Sequence, residues 1–178
     1  MSFKIKVDLA GLNGYLDRMN EGVQAAARPA AQAGAQVLYN EVQANVKKIK
    51  RKTGNLASAI YQAYSENNSG PARATYHVSW NARKAPHGHL VEYGHLQRYE
   101  YYKDEQGKIR PKVRAGMEGK PRPKSGSRNR AALDAYYVTL PNPKQVAARP
   151  FVRPAMSKFP QAVDAARKVL LQQIAKKK

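Results

Sequence analysis

The sequence predicts an α+β fold: a small antiparallel sheet packed by a long N-terminal helix and a C-terminal helix, with a long basic arm inserted as a loop or hairpin. Three observations carry this. Apolar and small residues recur every three or four positions from Leu9 to Ile49, and again from Ala155 to Ile174. Between these stripes, short stretches alternate apolar and polar residues, as strands with one wet face do. From Gln97 to Arg130 the composition shifts to 11 Lys+Arg against 4 Asp+Glu, with many Gly and Pro and little to form a core. The whole chain is expected to be one domain over residues 1–178, interrupted by this arm at about 97–130.

Phe3, Ile5 and Val7 alternate with Lys4, Lys6 and Asp8, which predicts a first strand. The helical stripe then runs through Leu9, Leu12, Leu16, Met19, Val23, Ala26, Ala30, Ala33 and Val37 to Val42, Val46 and Ile49. Pro29 lies inside it, and a mid-helix proline costs about 3 kcal/mol, so a break or kink is expected between Asn20 and Pro29. The Ala-rich part, Ala25 to Ala35, permits close approach of a neighbouring element. K-K-I-K-R-K (Lys47 to Lys52) closes the helix with cations that suit its dipole, and Thr53-Gly54-Asn55 forms a turn.

Leu56 to Tyr64 is ambiguous between strand and helix. Its simplest reading is an antiparallel hairpin, Ala57–Tyr64 with Arg73–Trp80, across the turn Asn67 to Pro71. H-L-V-E-Y-G-H then predicts a short helical turn or strand ending at Gly94. Tyr99–Tyr102 and Lys108–Val113 flank D-E-Q-G as a basic hairpin arm, and Gly116 to Arg130 reads as loop. A strand is expected over Ala131–Leu140. In A-A-R-P-F-V-R-P-A-M (Ala147 to Met156), proline fixes φ and disfavours helix before it. Arg149 to Pro154 is therefore expected to be a stiff extended connector, entering a helix near Ala155 with Phe151 and Val152 as apolar anchors.

The formal net charge is +20, from 32 Lys+Arg and 12 Asp+Glu, which calls for an anionic partner: nucleic acid, an acidic protein surface, or both. There is no cysteine, hence no disulfide framework or thiolate zinc site. M-S-F-K-I-K-V-D is not a signal peptide, and no apolar run is long enough to span a membrane, so a soluble protein made in a reducing cytoplasm is expected. His87, His89 and His95 cluster near Glu92, but Pro86 and Gly88 make this a turn, and no metal site is expected. G-K-P-R-P-K-S-G lacks the context of a phosphate loop, and the scattered acids supply no nucleophile-and-base pair. No catalytic residue and no cofactor are assigned; the chain is not expected to be an enzyme.

Nucleic-acid binding is the main competing reading. Tyrosines interleave with cations from Tyr99 to Arg130, as stacking and phosphate-contacting surfaces do. The candidate contacts, to DNA or to an acidic partner, are Lys47, Lys48, Lys50, Arg51, Lys52, Arg110, Lys112, Arg114, Arg122, Lys124 and Arg128. No helix-turn-helix, zinc-finger or RNA-recognition pattern accompanies them, so contact would be non-specific and the chain an architectural protein. The bland alternative is solvated charge beside tyrosines at a protein interface.

Three segments together resemble a known family: V-K-K-I-K-R-K-T-G-N-L (Val46 to Leu56), A-P-H-G-H-L-V-E-Y-G-H (Ala85 to His95) and A-R-P-F-V-R-P-A-M (Ala148 to Met156). In this order they resemble the tail-completion family of tailed bacteriophages, also described as minor tail components or head–tail joining proteins. The resemblance covers Leu9 to about His95 and Tyr136 to about Ile174, leaving Gln97 to Arg130 as an insertion. It implies a structural virion protein in the tail or neck, assembled in the host cytoplasm. It further implies a ring, typically a hexamer, at the head-proximal end of the tail. The implied partners are copies of itself, the connector or head-completion protein, and the tail tube or terminator protein, with genomic DNA in the lumen as a non-specific contact. Phe151, Val152, Arg149, Arg153, Glu92 and Tyr93 are the candidate anchors, with Arg149 and Arg153 expected to pair with carboxylates such as Glu92. The basic arm is expected to face a neighbouring subunit, DNA or another neck protein.

Overall fold

The computed structural model describes residues 10–49, 54–124 and 129–176, so the expected strand at Phe3–Val7 lies outside the described residues. The fold is α+β and divides into two units: residues 1–92 with 149–178, and residues 93–148. The second unit is thus inserted between Glu92 and Arg149.

In the first unit, helix α1 (Ala10–Lys48) runs without interruption through Pro29. The expected break is absent. Gly22, Ala26, Ala30 and Gly34 recur every four residues and are all buried, and α1 packs along the C-terminal helix α5 (Phe159–Ala175). At Gly34 the approach is close enough that a Cβ would stand 3.0 Å from the Ala162 carbonyl oxygen. Burial of this small-residue stripe offsets the roughly 3 kcal/mol that a mid-helix proline costs.

Gly54, in the left-handed region at φ 76°, starts a one-turn helix α2 (Asn55–Ala59) that buries Leu56 and Ala59. The hairpin is correspondingly shorter than expected. Strand β1 (Ile60–Tyr64) pairs antiparallel with β2 (Tyr76–Trp80), with Ile60 opposite Trp80 and Tyr64 opposite Tyr76. The Arg28 guanidinium lies 4.4 Å over the Tyr64 ring. Helix α3 (Gly88–Tyr93) follows. After residue 149 the chain is less extended than expected: Val152 is in the right-handed helical region, and Arg153–Lys158 form a 3-10 helix leading into α5. The stripe on α5 is also rotated. Ala162 is buried, whereas Phe159 and Val163 are 51% and 40% exposed.

In the second unit, β3 (His95–Tyr99) pairs antiparallel with β6 (Thr139–Val146), and β4 (Tyr101–Lys103) with β5 (Ile109–Pro111). Helix α4 (Arg130–Tyr136) occupies the first part of the stretch expected as strand, Ala131–Leu140. The A-A-L-D-A run favours helix, and the strand lies further on, where Pro141 and Pro143 interrupt the donor series of a ribbon paired along one edge. Among the described residues, the antiparallel strands form three two-stranded ribbons in place of one sheet. Tyr137, 5% exposed, centres this unit, with the Tyr99 and Tyr136 rings at 5.4 Å and 4.9 Å.

Candidate functional site

The apolar core of the first unit joins Val42 and Val46 of α1, Leu56, Ala59, Ile60, Ala85, Phe151 and Ala155. Each of the three motif segments contributes: Leu56 from the first, Ala85 from the second, Phe151 and Ala155 from the third. Phe151 is fully buried, its ring edge-on to Trp80 at 5.5 Å and 68°. Its carbonyl accepts a hydrogen bond from Asn45 Nδ2 at 3.3 Å.

Glu92, on α3, fastens this segment. Its side chain is 1% exposed. Oε2 accepts the backbone N–H groups of Phe151 at 2.7 Å and Val152 at 3.0 Å. Oε1 accepts the Arg153 N–H at 3.0 Å and the Arg153 Nε at 3.1 Å. The Arg153 Nη2 closes the ring on the Glu92 carbonyl oxygen at 2.6 Å. Burial raises the Glu92 pKa, but the Phe151, Val152 and Arg153 backbone donors and the Arg153 side chain outweigh it, and the carboxyl titrates below its ordinary value. A carboxylate has about four acceptor positions, and four donors fill them. Glu92 therefore has no free lone pair with which to act as a base or to hold an ion.

Backbone geometry explains the glycines of the second motif. A Cβ at Gly88 would collide with the Trp80 indole. Gly94 is left-handed at φ 72°, and a Cβ there would lie 2.7 Å from the Val146 carbonyl. The histidine cluster does not converge: among the described residues, no three His, Cys, Asp or Glu side chains are grouped to hold a metal ion.

Arg149 does not pair with Glu92. Its backbone N–H donates to the Val91 carbonyl at 2.8 Å, and its exposed side chain meets no carboxylate among the described residues. The second Arg-Pro pair supplies the ion partner because Arg153 opens the 3-10 helix beside α3. Val152 is half-buried against the core, and Tyr93 is 64% exposed.

The described basic candidates fall in both units. Lys47 and Lys48 are exposed in the last turn of α1; Lys50, Arg51, Lys52 and Arg128 lie outside the described residues. In the arm, Arg110 Nε donates to Asp104 at 2.6 Å, and Lys112 bonds Glu100 at 3.3 Å. The hydrogen bond from Arg110 holds the Asp104 carboxyl below its ordinary pKa. Arg114 Nη2 donates to the carbonyls of Asp134 at 3.0 Å and Tyr137 at 3.4 Å, and Arg122 lies 5.9 Å from the Tyr137 ring centroid. Lys124 is exposed. Four of the arm's candidate cations thus build their own unit. Sequence reading missed their partners Asp104, Glu100 and Asp134, and also Asn45 and Trp80. Asp104 was the findable one, since D-E-Q-G already marked the hairpin that returns Arg110 beside it.

No helix among the described residues is long and apolar enough to cross a membrane. No curated protein and no solved structure gives a significant match to the chain. Residues 10–94 match the model of the HK97-gp10-like family, described as "Bacteriophage HK97-gp10, putative tail-component". The matched segment holds α1, the β1–β2 hairpin and α3 with Glu92, and ends at Gly94. It agrees with the resemblance carried by the motifs: residues 10–94 are similar to a phage tail-component family.

Proposed function

We propose that this chain is a structural virion protein that forms an oligomeric ring at the head-proximal end of the tail, completing the tail and joining it to the head connector. The observation that carries this reading is the match of residues 10–94 to a phage tail component. The site geometry agrees with work by shape and adhesion, without catalysis, because the Glu92 carboxylate is spent on fastening the main chain. Exposed apolar side chains supply surface for neighbouring subunits: Met156, Phe159 and Val163 lie along the 3-10 helix and α5 and are 60%, 51% and 40% exposed. A hexameric ring is the form this reading expects.

Negative-stain imaging of the purified protein, alone and with tail tubes, tests the proposal. Rings, and tubes capped at one end, are expected. A monomer that coats duplex DNA and ignores the tubes would instead make this an architectural nucleic-acid-binding protein. Salt separates these outcomes further, since each neutralised phosphate contributes about −0.9 to the log–log slope of DNA affinity.

A further inference from the structure

A recess of about 380 Å³ opens beside the end of α1, lined by Asn45, Lys48, Ile49, Arg149 and Pro150. All five residues belong to the first unit. Asn45, 8% exposed, is fixed there: Nδ2 donates to the Phe151 carbonyl at 3.3 Å, and Oδ1 accepts from Lys48 Nζ at 3.4 Å. Ile49 and Pro150 contribute apolar surface. Lys48 and Arg149 are exposed, and neither forms an ion pair with a carboxylate among the described residues. The base of Arg149 is nonetheless held, by its N–H bond to the Val91 carbonyl at 2.8 Å and by the fixed φ of Pro150 after it.

These cations differ from those of the arm. Arg110, Lys112 and Arg153 face carboxylates of their own chain, whereas Lys48 and Arg149 stand over a partly apolar recess with that valence unused. We propose that the recess is a docking site for a carboxylate-bearing, partly apolar segment of an acidic partner protein. Lys48 and Arg149 bind the carboxylate, and Ile49 and Pro150 receive the apolar atoms beside it. The charge of +20 draws such a partner. A protein segment fits better than a nucleic-acid backbone, because backbone contacts are made by polar groups to phosphate and sugar and use no apolar wall. Under the tail-component reading the partner is a neighbouring virion protein, but the binding test does not depend on that reading.

The test uses the full chain and a labelled peptide of alternating glutamate and leucine, followed by fluorescence anisotropy. The double variant Lys48→Glu/Arg149→Glu is compared with the charge-matched Arg83→Glu/Lys84→Glu, whose side chains are also exposed. The first pair is expected to weaken binding about tenfold more than the second, equivalent to about 1.4 kcal/mol. Replacing leucine by glycine in the peptide is expected to weaken binding to the unaltered chain. Equal losses for the two double variants would overturn the proposal by assigning binding to net charge alone. A short DNA duplex that displaces the peptide at lower concentration than unlabelled peptide would overturn it in favour of phosphate. Should Lys48→Glu/Arg149→Glu lose its helical circular dichroism, Arg149→Ala alone reads the same contact, and an affinity unchanged by it would also overturn the proposal.

Discussion

Arg153 binds Glu92 at both the side-chain carboxylate and the backbone carbonyl. The Arg153 Nε donates to the Glu92 carboxylate at 3.1 Å while its Nη2 reaches the Glu92 carbonyl at 2.6 Å. The Arg153 backbone N–H adds a third bond to the same carboxylate at 3.0 Å. With Phe151 and Val152 on the other oxygen, one buried side chain fixes three successive amides that have no strand partner. This arrangement presents Phe151 to the core.

Glu92→Gln replaces one acceptor oxygen with a donor that faces main-chain donors. It is expected to destabilise the first unit by about 1–3 kcal/mol, the cost of leaving a buried donor unsatisfied. Arg153 has a side chain 55% exposed, so Arg153→Ala should cost only about 1 kcal/mol after solvent screening. Urea denaturation of both variants checks the order. Equal losses would show that the guanidinium, and not the main-chain amides, sets the value of the contact.

The Glu92 pKa is lowered in the folded chain, so the sign of its pH dependence follows. The unfolded state takes up a proton first as pH falls. The contribution of Glu92 is fully present above its unfolded pKa and is lost as pH drops through the folded value. Denaturation midpoints should therefore decline in acid below the ordinary glutamate range, and the Glu92→Gln chain should decline less. Parallel profiles would contradict this.

Phe151→Ala empties a fully buried site and should cost about 3–5 kcal/mol. A double-mutant cycle with Trp80→Leu should find a coupling of about 0.5–1.5 kcal/mol, the added worth of an edge-to-face aromatic pair. Under the assembly proposal, Phe151→Ala should also reduce ring formation. Unchanged stability and unchanged rings would remove Phe151 as an anchor.

Because Arg149 N–H bonds the Val91 carbonyl at 2.8 Å, the two ends of the first unit meet where residues 93–148 leave and return. Replacing that segment by a short Gly/Ser linker should leave the Glu92 contacts and the helical circular dichroism of the first unit intact, with a cooperative melt. Loss of cooperative melting would show that the inserted unit is needed for folding.

Much of this was legible in the sequence. The three-and-four spacing located α1, and D-E-Q-G located the β4–β5 hairpin. The motif order marked the segments that meet in the core, because Leu56, Ala85, Phe151 and Ala155 are apolar residues beside turn formers. What was hidden depended on tertiary partners. Pro29 signalled a break because local cost is visible and the packing of Gly34 against α5 is not. Arg149 and Arg153 sit in identical Arg-Pro pairs, and only the placement of α3 decides which one meets Glu92. Arg110 and Lys112 looked free because charge counts do not show that Asp104 and Glu100 stand beside them.

The most direct test of the tail-completion proposal is to image phage particles assembled without this protein. The account predicts filled heads and separate tails whose head-proximal ends are uncapped, with joining restored when the purified protein is added. Joined virions of normal appearance and infectivity in its absence would contradict it.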